Sequence, residues 1–231
     1  PSWAAGGATV QNERYKPADS TPDEISARLT ASTTARWRGR GELLSLPWTP
    51  PMPGPVLLID LWSGYSGAAI ALLSLGVKFY VLAAESNPDV VKMADATIDQ
   101  MVHVPTVECV NAEMFRGLIK KRSIQAILVG GGSPCQGNTS LNKGRKGLAD
   151  PRSQQPKELV RIRDELKAAF PNIPVLSFLE NVASSPKEVK EEYDLLMGVK
   201  PVSINAGIFG WVARKRLYWA AGPKGEDMGW N

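Results

Sequence analysis

The sequence is short of the residues from which several common sites are built. Its 231 residues include one histidine, His103. A histidine-rich zinc centre is therefore excluded, and a Ser-His-Asp triad would have to use that one side chain. Cysteine occurs twice, at Cys109 and Cys135, too rarely for a disulfide framework. A reducing compartment, nucleus or cytoplasm, is the expectation. No run approaches the roughly 18 apolar residues of a membrane helix. The start, Pro1-Ser2-Trp3, lacks the basic-then-apolar pattern of a signal peptide. Neither a metal nor a membrane is expected as a partner. Net charge is also modest: 27 basic against 23 acidic residues leave +4. With 43% hydrophobic and 22% charged residues, the composition is that of a globular chain with one ordinary core.

The chain divides by texture. Residues 1–55 read as a polar extension ending in Pro47, Pro50, Pro51, Pro53 and Pro55, a linker or a wrapping arm. Within it, residues 22–30 suit one short helix, with Thr21 as N-cap, Pro22 at the first position and Glu24 at the third. From Val56 onward, apolar runs alternate with helical patterns. Strands are predicted at 56–61, 77–84, 106–110, 124–129, 175–179, 202–206 and 217–220. Helices are predicted at 68–73, 88–101, 157–170 and 187–197. Continuous apolar runs suit strands buried on both faces. Their alternation with helices predicts an α/β fold with a mostly parallel sheet flanked by helices.

Four clusters carry candidate chemistry. The first is the turn Asp60-Leu61-Trp62-Ser63-Gly64-Tyr65-Ser66-Gly67, between the first strand and the first helix. Glycines there let backbone approach a ligand closely. Glu85, at the end of the next strand, has the spacing of an acid that accepts hydrogen bonds from ribose hydroxyls. The alternative is a plain strand–turn–helix. The second cluster is Gly130-Gly131-Gly132-Ser133-Pro134-Cys135-Gln136, which places a thiol at the ligand edge of the sheet. The thiolate is the reactive form and needs a positive field or a base nearby. A buried filler is the bland alternative, and it is the reading taken for Cys109. The third is Glu180-Asn181-Val182, again at a strand end. Apolar walls there would raise the carboxyl's pKa, and Asn181 could instead cap the following helix. The fourth is Arg214-Lys215-Arg216, where strand alternation puts both arginines on one face, suited to a phosphate or a pyrimidine carbonyl. A solvated charge cluster is the alternative.

Taken in order, these blocks resemble the catalytic half of the cytosine-C5 DNA methyltransferases. Asp60 to Gly67 is similar to the family's Asp-x-Phe-x-Gly-x-Gly motif, with Trp62 in the aromatic place. Glu85 matches its second acidic motif, Pro134-Cys135 its nucleophile, and Glu180-Asn181-Val182 its Glu-Asn-Val. Gly147-Leu148-Ala149-Asp150-Pro151-Arg152-Ser153 matches its Gly-Leu-x-Asp-x-Arg-Ser loop, and Arg214 and Arg216 its Arg-x-Arg. The resemblance covers roughly residues 56–222. The Ser-Pro-Cys variant and Lys146-Gly147-Leu148 look most like the de novo type of animal enzyme. Asn138-Thr139 departs from the family's apolar-Ser pair. Asn111 stands near the expected third acid, and Trp211-Val212-Ala213 stand where a Gln is frequent.

The resemblance implies a Rossmann-like S-adenosylmethionine-dependent methyltransferase fold over 56–231. It implies methylation of cytosine C5 in DNA through a covalent Cys135 adduct. Glu180 would hold the N3 and amine edge, Arg216 the base carbonyl, and Arg214 would lie close by. S-adenosylmethionine would be held by Asp60, Trp62, Gly64, Ser66, Gly67, Glu85, Asn111 and Pro134. The loop Asn138–Ser153 would close over the nucleic acid. The family's target-recognition region and final segment would follow residue 231. The expectation is therefore a catalytic region without them, or one whose partner chain supplies them. A silent binding or regulatory module, or a tRNA cytosine-C5 methyltransferase, are the alternative readings. Eight basic and four acidic residues between Lys143 and Lys167 account for the whole net charge. The excess sits on and after that loop, where phosphate contacts are expected.

Overall fold

A computed structural model describes residues 20–39, 42–43, 54–208 and 213–228. Pro47, Pro50, Pro51 and Pro53, together with Trp211 and Val212, lie outside the described residues. In chain order the elements are α1 (Pro22–Ala31), β1 (Arg36–Trp37), β2 (Val56–Leu61), α2 (Gly67–Ser74), β3 (Phe79–Ala84), α3 (Pro88–Thr97), β4 (Ile98–Asp99), β5 (Met101–Val104), α4 (Arg116–Lys121), β6 (Ala126–Gly132), α5 (Pro156–Ala169), β7 (Val175–Val182), α6 (Lys187–Met197), β8 (Val202–Asn205) and β9 (Lys215–Ala221). Among the described residues, seven strands form one sheet in the order β5-β3-β2-β6-β7-β9-β8. The first five are mutually parallel, while β9 runs antiparallel to both β7 and β8. β1 and β4 make a separate antiparallel pair.

The apolar runs of β2 and β3 are continuous because both of their faces are covered. Leu57, Ile59 and Leu61 of β2 join one core with Tyr80, Leu82 and Ala84 of β3. Val56 and Leu58, with Phe79, Val81 and Ala83, join the other. The first core takes in Leu159, Ile162 and Leu166 of α5 and Val189, Tyr193 and Met197 of α6. The second takes in Ala69 of α2 and Ala94 of α3. On β7 burial alternates, with Ser177, Leu179 and Asn181 buried and Leu176, Phe178 and Glu180 only partly so. This places Glu180 and Asn181 on opposite faces.

α1 has the expected capping box: Glu24 N donates to Thr21 Oγ1 at 3.3 Å, and Thr21 N donates to Glu24 Oε2 at 3.1 Å. Its Ile25 and Leu29 are buried in the first core, so residues 22–31 pack into the fold. The third sheet strand differs from the expectation at 106–110. β5 spans Met101–Val104, and residues 107–109 form a short 3-10 turn. α3 stops at Thr97, Gln100 turns the chain with φ +69°, and the strand starts early. Pro105 follows it and cannot donate to the ladder.

The chain runs from β2 to β3 and β5 on one side, then returns to β6 and β7 on the other. The C-terminal ends of β2 and β6 therefore flank a topological switch point, where ligands bind in open α/β sheets. Among the described residues no helix is long and apolar enough to cross a membrane.

Candidate active site

At the switch point the turn after β2 is built on unusual backbone. Trp62, Gly64 and Ser66 have φ of +50°, +53° and +57°. Left-handed backbone is sparsely populated by non-glycine residues, and here it folds the turn tightly against β3. Gly64 N donates to Glu85 Oε2 at 3.0 Å and Asn87 N to Glu85 Oε1 at 2.8 Å. Glu85 is thereby fixed at the wall of a cavity of about 440 Å³, which is also lined by Trp62, Thr106, Glu108, Gly132, Pro134 and Gln155. Its size falls in the range of small-molecule sites. Along its lining, Trp62 Nε1 donates to Gln155 Oε1 at 3.0 Å, and Gln155 Nε2 donates to Glu108 Oε1 at 3.1 Å. Burial alone would raise the Glu108 carboxyl. Hydrogen bonds from Gln155, its own backbone and Thr106, with the charge of Arg161, hold it below the ordinary range instead. Asp60 lies beneath the turn, 3% exposed. Burial pushes its carboxyl up to about 8, against the Ser66 hydroxyl, and Glu85 adds to the rise. Among the described residues its Oδ2 makes no hydrogen bond.

A second recess, of about 510 Å³, is lined by Cys135, Leu141, Val182, Lys215 and Arg216 among others. Pro134 faces the first cavity and Cys135 the second, so one dipeptide stands between them. The glycines before it answer to crowding. A Cβ on Gly131 would collide with the Leu61 carbonyl, and one on Gly132 would lie 2.7 Å from Glu180 Oε2. The turn is tied to β7 by Asn181, whose Nδ2 donates to Ser133 Oγ at 2.8 Å and whose Oδ1 accepts from Val182 N at 2.8 Å. Asn181 does not cap α6, which starts at Lys187. Burial pushes the Glu180 carboxyl up, and the charges of Arg216 and Arg214 pull it back only in part.

Five of the sequence-selected residues line the two hollows: Trp62, Glu85 and Pro134 the first, Cys135 and Arg216 the second; a sixth, Glu180, is paired to Arg216 at 2.6 Å. Asp60, Gly64, Ser66 and Gly67 shape the turn beside them. Asn111 does not join them. Its side chain accepts from Glu113 N at 3.1 Å, and it borders a separate recess with Arg116 and Glu165. Arg214 is exposed and precedes β9, so strand alternation does not reach it; Lys215 lines the recess instead. Thr106, Glu108 and Gln155 were not singled out by the sequence. Only the early end of β5 at Pro105 could have pointed to the first two.

Beyond Cys135 the loop is anchored at both ends. Asn138, fully buried, donates its backbone N–H to the Cys135 carbonyl at 2.9 Å and its Nδ2 to Tyr193 Oη at 3.0 Å. Its Oδ1 accepts from Ser153 Oγ at 2.6 Å. Arg145 Nη1 donates to the carbonyls of Asn138 and Ser184, at 3.0 and 2.7 Å. Between the anchors Leu141 is 92% exposed, and Lys143 and Lys146 are exposed beside it. Among the described residues no group of three or more His, Cys, Asp or Glu side chains is placed to hold a metal.

No protein-family model and no curated protein matches the sequence. Solved structures do match in shape. One is titled as a proposed DNA modification methyltransferase encoded within an E. coli prophage; it is 24% identical with a TM-score of 0.54, over 73% of this chain and 47% of that one. Another is a methyltransferase of Entamoeba histolytica, 18% identical with a TM-score of 0.51, over 72% of this chain and 52% of that one. The chain thus spans about half the length of these structures. With its mostly parallel seven-stranded sheet flanked by helices, it has the Rossmann-like fold of the S-adenosylmethionine-dependent methyltransferases.

Proposed function

We propose that this chain is the catalytic region of a cytosine-C5 DNA methyltransferase. The observation that carries the reading is the dipeptide Pro134-Cys135, which divides a cavity lined by acidic residues from a recess lined by Lys215 and Arg216. The first suits a nucleoside cofactor: the Glu85 carboxylate, held by the Gly64 amide, is an acceptor for ribose hydroxyls, and Trp62 offers an aromatic wall. Bound there, S-adenosylmethionine supplies an electrophilic methyl group. The second hollow suits a base taken out of its stack.

The protein's own groups then act in sequence. The Cys135 thiolate would give its electron pair to cytosine C6, and the C5–C6 π pair would move to C5, which would take the methyl carbon while the pair of the broken S–CH3 bond stays on the departing sulfur of the cofactor. Glu180, whose carboxyl burial pushes up, would hold the N3 and amine edge while charge builds on the ring. Arg216 faces the base carbonyl from the neighbouring strand. Transfer of the C5 proton to solvent would return its pair to the C5–C6 bond, and the Cys135 sulfur would leave as thiolate. The basic loop of residues 143–152 meets the phosphates. DNA is the substrate proposed, and RNA is an arm of the test.

The test is covalent trapping on oligonucleotides that carry 5-fluorocytosine, whose fluorine cannot be lost as a proton. With S-adenosylmethionine the chain should form a denaturation-resistant adduct on DNA, and Cys135→Ala should form none. An adduct that survives Cys135→Ala, or one formed on RNA in preference to DNA, would overturn the assignment.

A further inference from the structure

Gln155 occupies an unusual position. It is the first residue after the short 3-10 turn Pro151–Gln154 and lies at the head of α5. Its amide lines the cofactor-sized cavity, where it accepts from Trp62 and donates to Glu108, two further lining residues. Two residues earlier, Ser153 is buried and bonds to Asn138, while its carbonyl accepts from Tyr193 Oη at 3.1 Å. Asn138 in turn bonds the carbonyl of Cys135. A hydrogen-bonded path thus leads from the cavity wall through Gln155, along two residues of backbone to Ser153, and on to the nucleophile turn. Gln154 stiffens the link, its Nε2 donating to the Leu148 carbonyl at 2.8 Å. None of the four sequence clusters includes Gln155.

We infer that Gln155 is a positioning residue that couples the filling of the Trp62–Glu108 cavity to the order of the loop Asn138–Asp150. The inference rests on the cofactor reading given above. Trp62, Gln155 and Glu108 all line that cavity, so a ligand that fills it would bias the amide bridge. The bridge sits on the same short segment that anchors the loop.

The experiment is hydrogen exchange on the full chain, with and without saturating S-adenosylhomocysteine, for the wild type, Gln155→Ala and Gln155→Glu. The glutamate keeps the acceptor for Trp62 but sets a second carboxylate against Glu108. In the wild type the ligand should slow exchange both at residues 104–108 and at 138–150, by about fivefold or more at the loop. In both variants, with the ligand raised until calorimetry shows each form saturated, it should still slow residues 104–108 but lose its effect on the loop. Equal loop protection in wild type and variants, or no loop protection in the wild type despite a protected cavity, would overturn the coupling. Absence of protection at 104–108 in every form would sink the cofactor reading itself.

Discussion

Arg216 Nε lies 2.6 Å from Glu180 Oε1, across the antiparallel ladder in which Arg216 faces Val182. Both side chains are largely buried, at 17% and 24% exposure. The pair joins a carboxyl that burial tends to neutralise to a cation that tends to ionise it. Burial prevails, since the carboxyl stays above its ordinary range.

Arg216→Gln should raise the Glu180 carboxyl further, because the nearest opposing charge is gone. The sign of the stability effect follows. A folded carboxyl above its unfolded value contributes stability at acid pH that is lost as pH rises through the folded value. The variant should therefore fall further below the wild type at neutral pH than at pH 4. Carbon NMR of labelled glutamate, with denaturant melts at both pH values, reads each part.

Asp60→Asn should gain on the wild type as pH rises. The folded Asp60 carboxyl stays neutral up to about 8, against 3.8 for the ordinary group. Between those values the unfolded chain ionises while the folded one does not. That costs the wild type about 1.4 kcal/mol per pH unit at most, and the amide has no such term. The gap between the two unfolding curves should widen from pH 5 to pH 7.5; parallel curves would contradict the placement.

Adjacent glycines should behave differently. Gly131→Ala drives a methyl into the Leu61 backbone carbonyl, which cannot move without breaking β2, and should cost about 3 kcal/mol. Gly132→Ala meets the movable tip of Glu180. It should leave the melting temperature nearly unchanged while sharply reducing 5-fluorocytosine trapping. Equal losses of stability in the two variants would disagree with this packing.

Asn138→Ala should destabilise the chain by about 1–3 kcal/mol, because it strips buried partners from Ser153 and Tyr193. Its second effect should be local. Amide exchange in residues 136–150 should quicken more than exchange in β2 or β3, where no partner is lost.

Much of this arrangement was legible before any fold was known. The runs at β2, β3 and β6 announced themselves because strands covered on both faces need no polar alternation. Thr21, Pro22 and Glu24 marked the start of α1 through local capping chemistry. Glu85 and Cys135 stood out as reactive residue types at the ends of apolar runs. Less could be read at 98–110, where short β-branched stretches fit strand or turn alike. Pro105 broke the ladder there and gave Thr106 and Glu108 to the cavity.

The sequence by itself determined most of the element types, the ends of β2 and β3 and the order of the chemical motifs. These depend on periodicity and on residues a few positions apart. Only the tertiary structure decided which of those residues meet. Gln155 reaches Trp62 from 93 positions away, and Asn181 reaches Ser133 from 48. Arg214 falls outside the recess while Lys215 lines it, because β9 begins one residue later than the motif. Asn111 drops away because β5 ends at Val104. Such contacts depend on strand order, on where a ladder stops and on the path of a loop. No local pattern encodes them, because their partners are brought together by burial of the shared core.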